Sequence, residues 1–368
     1  MATPAPLQSA LKVLSIAGLS AFLTLISGSL FAGTSHGPDD DHAAEPFNAG
    51  EMIMGHIGDE HGWHLWGHTS LPLPIIAYNT ERGFSCFSSS KFDHGHKTYG
   101  GYMLHEGKLV ATDAPDGTDV HHATVHEALT KATWDISITK NVLSLFISIT
   151  ILLWVFISVA KAYTRRAGEA PTGLQNLLEP LILFVRDDVA KSAIGHKYEK
   201  YMPYLLTAFF FIFLNNLLGL VPVFPGGANL TGNIAITLTL AVITFIIVCV
   251  SANRHYWGHI LAMPGVPKWV LVILTPVEIL GVFLRPFVLM VRLFANVTAG
   301  HIIVLSFFAL IFIFGEMHAG AGFGFSVLSL IFTVFMTMLE LLVAFIQAYV
   351  FTFLSAMYIG AAVEEPHH

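Results

Sequence analysis

The sequence predicts an all-α integral membrane protein with a small, β-rich extracytoplasmic domain near its N-terminus. Hydrophobic residues make up 54% of the chain and charged residues only 12%, whereas about a quarter of the residues in soluble domains are charged. Several uncharged runs after residue 140 reach the roughly 20 residues that a helix needs to cross a bilayer. The region before residue 135 is polar and holds most of the acidic residues. No basic run follows that could bind nucleic acid.

The first 33 residues resemble a targeting segment. Lys12 is their only charge, and the apolar stretch Val13–Phe31 follows it. A short positive start before an apolar stretch is typical of a secretory signal peptide, which is the prediction for residues 1–33. A retained N-terminal membrane anchor is the alternative interpretation.

Residues 34–135 form a separate, His-rich region that we expect outside the cytoplasm. The acidic tract His36–Glu45 has the composition of a disordered segment. After it come three short runs of β-forming residues, Leu73–Tyr78, Tyr102–Leu104 and Lys108–Val110. Glu106-Gly107 separates the last two runs and predicts a hairpin turn. We therefore predict a small, mostly β domain over residues 50–112.

The histidines of this region raise the question of a metal site. Two pairs are close in sequence, His61 with His64 and His94 with His96. Neither pair has the spacing of a full zinc signature, so we interpret the segment as solvated and expect no metal and no cofactor. Cys86 lies in the polar region and Cys249 in an apolar run, and we expect no disulfide between them.

The first clean membrane span is Val142–Ala160. Lys161, Arg165 and Arg166 follow it, and such basic residues mark the cytoplasmic side of a span. The N-terminal region therefore lies on the outer side. This orientation agrees with a signal peptide.

The next segments predict an interfacial helix and two further spans. Gly173–Ala193 mixes leucines with charged residues and resembles an amphipathic helix at the inner interface. Tyr204–Val223 then crosses outward, and Asn233–Val250 returns. Pro225-Gly226-Gly227 forms the outer turn between them.

Two long apolar segments complete the membrane domain, predicted over residues 137–363. Trp269–Gly315 and Phe323–Val363 exceed the length of a perpendicular span, and the Gly-rich turn His318–Gly322 separates them. We predict two long, tilted helices; two ordinary spans from each segment are the alternative. Five crossings then place the C-terminal tail, residues 364–368, in the cytoplasm.

Each long helix has a line of polar residues at spacings of seven, which places them within about 20° of one another on a helix. The first line is Glu278, Arg285 and Arg292, with Asn296 beside it; the second is Thr333, Glu340 and Gln347. His301 is nine residues beyond Arg292 and therefore on the opposite side. Charged groups at membrane depth are costly and usually mark ion pathways.

Several of these residues also have a purely structural interpretation. Arg285 and Glu278 fit a simple salt bridge. Asn215, Asn216 and Gln347 fit interhelical hydrogen bonds. His301 fits a hydrogen-bonded core histidine. A purely structural role is the least satisfactory explanation for Arg292, because arginine cannot lose its charge by deprotonation.

The quoted residues resemble subunit a of F-type ATP synthases over roughly residues 137–363. Three stretches carry the resemblance: Arg292-Leu293-Phe294-Ala295-Asn296-Val297-Thr298-Ala299-Gly300-His301, Leu214-Asn215-Asn216-Leu217-Leu218-Gly219-Leu220-Val221-Pro222, and Gln347-Ala348-Tyr349-Val350-Phe351. The combination is specific to that family.

The resemblance implies a stator subunit of the Fo proton channel in a bacterial inner membrane, which is not an enzyme on its own. Its partners would be the ring of c subunits, the b subunits and the bilayer. Arg292 resembles the arginine that faces the c-ring. The residues that resemble the proton pathway are His301, Glu340, Gln347, Asn296, Glu278, Arg285, Asn215 and Asn216.

One exchange and one addition distinguish this sequence within the family. The outer half-channel has histidine at 301 and glutamate at 340, positions that some members occupy in reverse. Both arrangements supply groups that can relay protons, and the residue set is compatible with proton or sodium translocation. Residues 34–135 are the addition. A secondary ion transporter with a His-rich sensor domain is the alternative, and it predicts internal repeats and broken helices.

Overall fold

The computed structural model describes residues 48–66, 69–105, 107–166, 168–221, 224–263 and 266–364. The predicted signal peptide or anchor (1–33), the acidic tract His36–Glu45 and the last four residues lie outside this part of the chain. The chain forms two compact units, which we describe separately. One unit comprises Met1–Ile147, Leu218–Asn229 and His301–Leu339; the other comprises Ser148–Leu217, Leu230–Gly300 and Glu340–His368.

The N-terminal region folds into short strands and helical turns. In chain order its elements are α1 (Ala49–Ile57), β1 (Gly62–Trp66), β2 (Thr69–Pro72), β3 (Pro74–Asn79), β4 (Gly83–Ser88), a 3-10 segment (Ser89–Gly95), β5 (Tyr102–His105), β6 (Lys108–Ala111), a 3-10 turn (Val120–His122), α2 (Glu127–Lys131) and β7 (Thr133–Asp135). The three predicted β runs are confirmed as β3, β5 and β6. The strands β1, β2, β4 and β7 were not predicted.

The strands form three small antiparallel sheets, with orders β1-β2, β4-β3-β7 and β5-β6. The predicted hairpin joins β5 to β6: His105 pairs with Lys108, and Gly107 has φ of 76°, which glycine adopts at no steric cost. A buried apolar cluster joins the sheet β4-β3-β7 to the sheet β5-β6. Its members are Ile75, Ala77, Phe92, Tyr102, Leu109, Ala111 and Leu129.

Five helical segments in the described part of the chain are long and apolar enough to cross a membrane, as the sequence predicted. The helices of this part are α3 (Lys140–Arg165), α4 (Leu174–Phe184), α5 (Tyr198–Leu220), α6 (Ile234–Ser251), α7 (Arg254–Leu261), α8 (Lys268–Met317) and α9 (Ala319–Val363). The chain from α4 to α5 is almost continuously helical and forms one of the five segments.

The first membrane helix begins in contact with the N-terminal domain. The carboxylate of Asp59 accepts hydrogen bonds from the Thr139 hydroxyl (2.9 Å) and from the backbone N–H of Asn141 (3.1 Å). The N–H of Lys140 donates to the Glu60 carbonyl at 2.9 Å. A carboxylate at a helix N-terminus satisfies free N–H groups and is favoured by the helix dipole. Asp59 thereby fixes the domain to the start of α3.

The segment predicted as an amphipathic helix, Gly173–Ala193, is helical over almost the same residues, but it is not one regular α-helix. After α4 the chain forms π-helical turns over Val185–Lys191, in which Asp187 pairs with Arg186 (2.8 Å) and Lys191 (2.6 Å) on an exposed side. The short helix Ser192–Ile194 follows these turns, and Gly195, with φ of 72°, begins the 3-10 turn Gly195–Lys197 that precedes α5. Helix α5 begins at Tyr198 rather than at Tyr204, because its polar first turn precedes the apolar run on which the prediction was based.

The two long helices are confirmed, and the alternative of two spans from each segment is wrong. Helix α8 has 50 residues and α9 has 45, so they are about 75 Å and 68 Å long at 1.5 Å per residue. Pro276 and Pro286 both lie inside α8 without ending it. These lengths are more than twice the thickness of the hydrocarbon core of a bilayer, about 30 Å.

The turn between the long helices is tighter than the predicted Gly-rich turn. Only His318 lies outside the two helices, and α9 already begins at Ala319. A Cβ built on Gly322 would be 2.8 Å from the Cα of Gly315. The glycines therefore form the close contact between the two helices rather than a longer loop.

The second unit has a large apolar core to which helices α5, α8 and α9 contribute. Leu205, Phe209, Leu289, Leu293 and Ile359 are all fully or almost fully buried there. This packing gives α8 one buried side. The opposite side, which includes Leu280 and Phe287, is left exposed by the described residues.

Candidate functional site

Arg292 lies on an exposed, apolar side of α8. Val288, one helical turn before it, and the adjacent Val291 are 42% and 39% exposed, and Arg292 is itself exposed. None of the described residues forms a hydrogen bond or an ion pair with it. A permanent charge at membrane depth costs roughly 3 to more than 10 kcal/mol unless a partner or water compensates it. The arrangement therefore leaves a permanent positive charge without a partner among the described residues.

The polar lines of α8 and α9 are joined by one hydrogen bond. The side-chain amide of Asn296 donates to the Oε1 atom of Gln347 at 3.0 Å. Gln347 is buried and Asn296 is exposed. Asn296 follows Arg292 by one helical turn, so this bond fixes a polar group beside the exposed arginine.

Arg285 has aromatic partners rather than an acidic one. Its Nη1 atom donates to the Tyr256 hydroxyl at 3.1 Å, and its guanidinium lies over the ring of Tyr358 at 5.6 Å. Within the described residues it forms no ion pair with Glu278, so the interpretation of these two residues as a salt bridge is wrong. Aromatic faces stabilise the cation without neutralising it.

The carboxyl group of Glu340 lies directly against α8 at Gly300. A Cβ built on Gly300 would be 2.5 Å from Oε1 and 3.3 Å from Cδ of Glu340. Any larger residue would have to displace the carboxyl group. In the described part of the chain nothing donates a hydrogen bond to this carboxyl group, which is typical of groups that titrate or exchange partners in a membrane.

His301 lies beside the end of α5 in the first unit. A Cβ built on Gly219 would be 3.6 Å from the Nε2 atom of His301. Lys140, which is only 7% exposed, is close enough for its charge to act on the imidazole. Lys140 could not be selected from the sequence, because it precedes the apolar run of α3 and resembles an ordinary flanking lysine.

The N-terminal domain also contacts the connection that follows α5. The rings of Trp63 and Phe224 meet edge to face, with centroids 5.1 Å apart, and Trp63 is buried. In the first unit the domain thus contacts both the start of α3 and the chain that follows Gly219. Both segments contribute residues near His301.

The two neighbouring asparagines of α5 have different surroundings. Asn216 donates to the Ala344 carbonyl (3.3 Å) and accepts from the Thr231 hydroxyl (2.7 Å), so it joins α5 to α9. Asn215 donates to the Phe211 carbonyl of its own helix at 2.8 Å. Its buried Oδ1 atom has no hydrogen-bond partner among the described residues. Asn216 therefore stabilises the packing of α5 against α9. The Oδ1 atom of Asn215 remains without a hydrogen-bond donor among the described residues.

Among the described histidines of the N-terminal domain, His61 is paired with an acidic residue. His61 and Asp135 are joined at 3.2 Å. Burial acts to raise the pKa of Asp135, but hydrogen bonds from His61 and Ser137 outweigh it and lower the pKa below its ordinary value. Among the described residues no group of three or more histidine, cysteine or acidic side chains could hold a metal ion.

Comparison with known proteins gives two family matches. The model of the family "ATP synthase A chain" matches residues 142–360, and that of a domain of unknown function (DUF8433) matches residues 52–136. The second match covers the whole region from β1 to β7. The two matches together account for nearly all of the described chain.

Curated relatives match the membrane part. The chain is 46% identical over 239 residues to ATP synthase subunit a of Chloroherpeton thalassium, covering 64% of this chain and 69% of that protein. It is 48% identical over 236 residues to ATP synthase subunit a 2 of Chlorobaculum tepidum, covering 63% and 64%. It is 41% identical over 245 residues to ATP synthase subunit a of Myxococcus xanthus, covering 64% and 75%.

Proposed function

The chain belongs to the ATP synthase A chain family, and from this premise we propose that it is the stator subunit of the Fo proton channel of an F-type ATP synthase. Membership implies that it works with other ATP synthase subunits and is not an enzyme on its own. The observation that carries the proposal is Arg292, a permanent charge on an exposed apolar side of a long membrane helix, with no partner among the described residues.

The proposed partner of Arg292 is the carboxylate of a c subunit. A ring with an apolar surface would cover the exposed side chains around Arg292, and its ionised carboxylate would compensate the charge. A proton enters through the outer half-channel and neutralises a rotor carboxylate, which then turns through lipid. Near Arg292 the carboxylate ionises again and releases its proton inward. The fixed positive charge keeps the two half-channels separate.

The family resemblance suggests how the pathway residues are divided. We assign His301 and Glu340 to the outer half-channel, where an imidazole and a carboxyl group relay protons. Asn296 and Gln347 border the pathway beside Arg292, and their hydrogen bond supports this assignment. Glu278, Arg285, Asn215 and Asn216 complete the set as residues that line or position it.

The proposed orientation is based on the basic residues that come after Ala160. The N-terminal domain then lies outside the cytoplasm of a bacterial inner membrane, and the C-terminal end lies inside. The helices α8 and α9 are strongly tilted in the membrane, because their lengths exceed its thickness. Labelling of a Lys108→Cys variant, with both native cysteines replaced by serine, by a membrane-impermeant thiol reagent in cells whose outer surface is accessible checks this orientation. Labelling only in inverted vesicles contradicts it.

The unbroken long helices favour the stator over a secondary transporter. Transporter sites are commonly built from discontinuous helices at the membrane midplane, whereas α8 continues through Pro276 and Pro286. Purification of the tagged chain from mild detergent distinguishes the two proposals. We expect c-ring and b subunits to co-purify in constant ratio. Purification of the chain without them would contradict the stator assignment.

Gly300→Ala should slow ATP-driven proton pumping severalfold, because the added methyl group displaces the carboxyl group of Glu340. Gly281→Ala is the matched control: it lies in the same helix, and its Cβ would meet nothing within 4 Å. Each substitution favours the helical state by about 1 kcal/mol, so helix propensity does not distinguish them. Pumping is measured in inverted vesicles with equal amounts of assembled complex, and equal rates for both variants would show that the close contact is unimportant.

A further inference from the structure

The three-stranded sheet of the N-terminal domain is apolar on both faces. Its inner face places Ile75 and Ala77 in the core of the domain. On the outer face Tyr78 is paired with Phe84 on β4 and with Trp134 on β7. Because successive residues of a strand point to opposite faces, these three rings share one surface. An antiparallel sheet that faces water normally carries polar residues on its outer face, so this sheet differs from the usual pattern.

The outer face is not covered by any described residue. Phe84 is 68% exposed, Trp134 is 69% exposed and Tyr78 is 49% exposed. We call this surface the aromatic face; its members are Ile76, Tyr78, Phe84, Cys86, Trp134 and Ile136, and none of them is charged. Aromatic side chains have areas of about 150–250 Å² each, so the exposed apolar area is on the order of 400 Å². A patch of this size on a soluble protein marks an interaction site.

The aromatic face is held close to the boundary of the membrane. Ile136 donates its N–H to the Ile76 carbonyl at 2.8 Å, so the sheet continues into the linker before α3. From Ile136 to Lys140 an extended chain spans at most about 14 Å. The apolar run of α3 begins two residues later, at Val142. The contact of Asp59 with the start of α3 limits movement of the domain away from this boundary.

The chemistry of the face fits the headgroup layer of a bilayer. Tryptophan and tyrosine favour this layer because their rings are apolar and their N–H or O–H groups remain hydrated. The layer is about 5–7 Å thick on each side of the hydrocarbon core, thick enough to accept aromatic side chains. The same unit has an exposed apolar residue on the first turns of α3, Phe146 at 56% exposure, so apolar surface is present on both sides of the boundary.

We propose that the aromatic face rests on the headgroups of the outer leaflet and anchors the N-terminal domain to the membrane surface. The anchor holds the domain beside the start of α3 while Trp63 contacts the connection after α5. This proposal requires the membrane assignment and the outward orientation, but it does not depend on the route of the ion. A failure of proton translocation in other experiments would leave it unaffected.

Cys86 is a native position on the aromatic face at which the proposal can be tested. In a Cys249→Ser variant of the assembled complex, reconstituted in liposomes, Cys86 is labelled with an environment-sensitive fluorophore, and peptide mass spectrometry verifies the site. Quenching by lipids that carry a nitroxide at the headgroup is compared with quenching by aqueous iodide. The matched control is Lys108→Cys with both native cysteines replaced by serine, because Lys108 is exposed on a different sheet.

We expect nitroxide lipids to quench the fluorophore at position 86 severalfold more than at position 108, with the reverse order for iodide. Replacing Phe84 and Trp134 together by serine should reduce lipid quenching at position 86 while the complex still assembles, because both rings are exposed. Full iodide quenching without lipid quenching at position 86 would overturn the proposal. Shielding from both quenchers would overturn it too, in favour of a protein cover such as residues 1–47, a second copy or another subunit.

Discussion

Replacing Arg292 by alanine should abolish both ATP synthesis and ATP-driven proton pumping, a loss of at least about two orders of magnitude in rate, or about 2.7 kcal/mol of barrier. The Arg292 side chain places a permanent positive charge on the exposed side of α8. No other described residue supplies a charge at that position. In the proposed mechanism, the charge of Arg292 is what favours ionisation of the rotor carboxylate at this position, so its loss stops proton release. Pumping is measured in inverted membrane vesicles, with the c-ring content of the complex determined in parallel.

Two further variants distinguish loss of the Arg292 charge from a general structural effect of replacing an arginine. Arg292→Lys should restore little activity, because lysine is a point charge that can deprotonate when it is desolvated. Arg165→Ala, at the exposed end of α3, should pump normally. In membranes stripped of the catalytic sector, Arg292→Ala should also raise passive proton conductance, because the two half-channels are no longer separated. Normal pumping by Arg292→Ala, with the c-ring bound, would contradict the proposed mechanism.

The long helices could be predicted from the sequence because their apolar runs contain no strong turn signal. Helix α7 could not: the stretch that contains Arg254 and His259 is short and polar enough to resemble a loop. It is helical here because Tyr256 and Ile260 are buried against the core of the second unit, which is a tertiary effect. Strand β7 escaped prediction for the same reason, since its pairing partner β3 is distant in the sequence: Asp135 pairs with Ala77. The strands β1, β2 and β4 pair with strands that are adjacent in the sequence. Their runs contain glycine, serine or proline, which weakens the β pattern on which the prediction was based.

The part of the candidate site that depends only on residue spacing along one helix could be predicted from the sequence. Seven-residue spacing selected the line that includes Arg292, and the hydrogen bond between Asn296 and Gln347 joins the two predicted lines. Contacts between distant residues were not predictable. Glu340 contacts Gly300, and Arg285 contacts Tyr256, because of the way the helices pack. No local sequence pattern predicts these contacts.

His301 and Glu340 should have coupled effects on proton entry if they serve one outer half-channel. They lie on different long helices, α8 and α9. His301→Ala and Glu340→Ala should each slow proton flux by about tenfold, equivalent to about 1.4 kcal/mol. Residues that act independently have additive effects on the logarithm of the rate, so an uncoupled double variant would lose about a hundredfold. We expect the double variant to be little worse than the more damaging single change, because either loss already interrupts the relay.

The exchanged pair, His301→Glu with Glu340→His, tests the same coupling in the opposite direction. Each single exchange places two like groups in the pathway, either two carboxyl groups or two imidazoles, and should be strongly impaired. The double exchange restores one acid and one imidazole and should recover activity relative to both. Glu340→His alone also introduces a larger ring beside Gly300, so Glu340→Gln serves as a control of similar size to the native residue. Proton flux and its pH profile are measured for each complex. Additive losses without recovery in the exchanged pair would show that the two residues work independently and that their assignment to one half-channel is wrong.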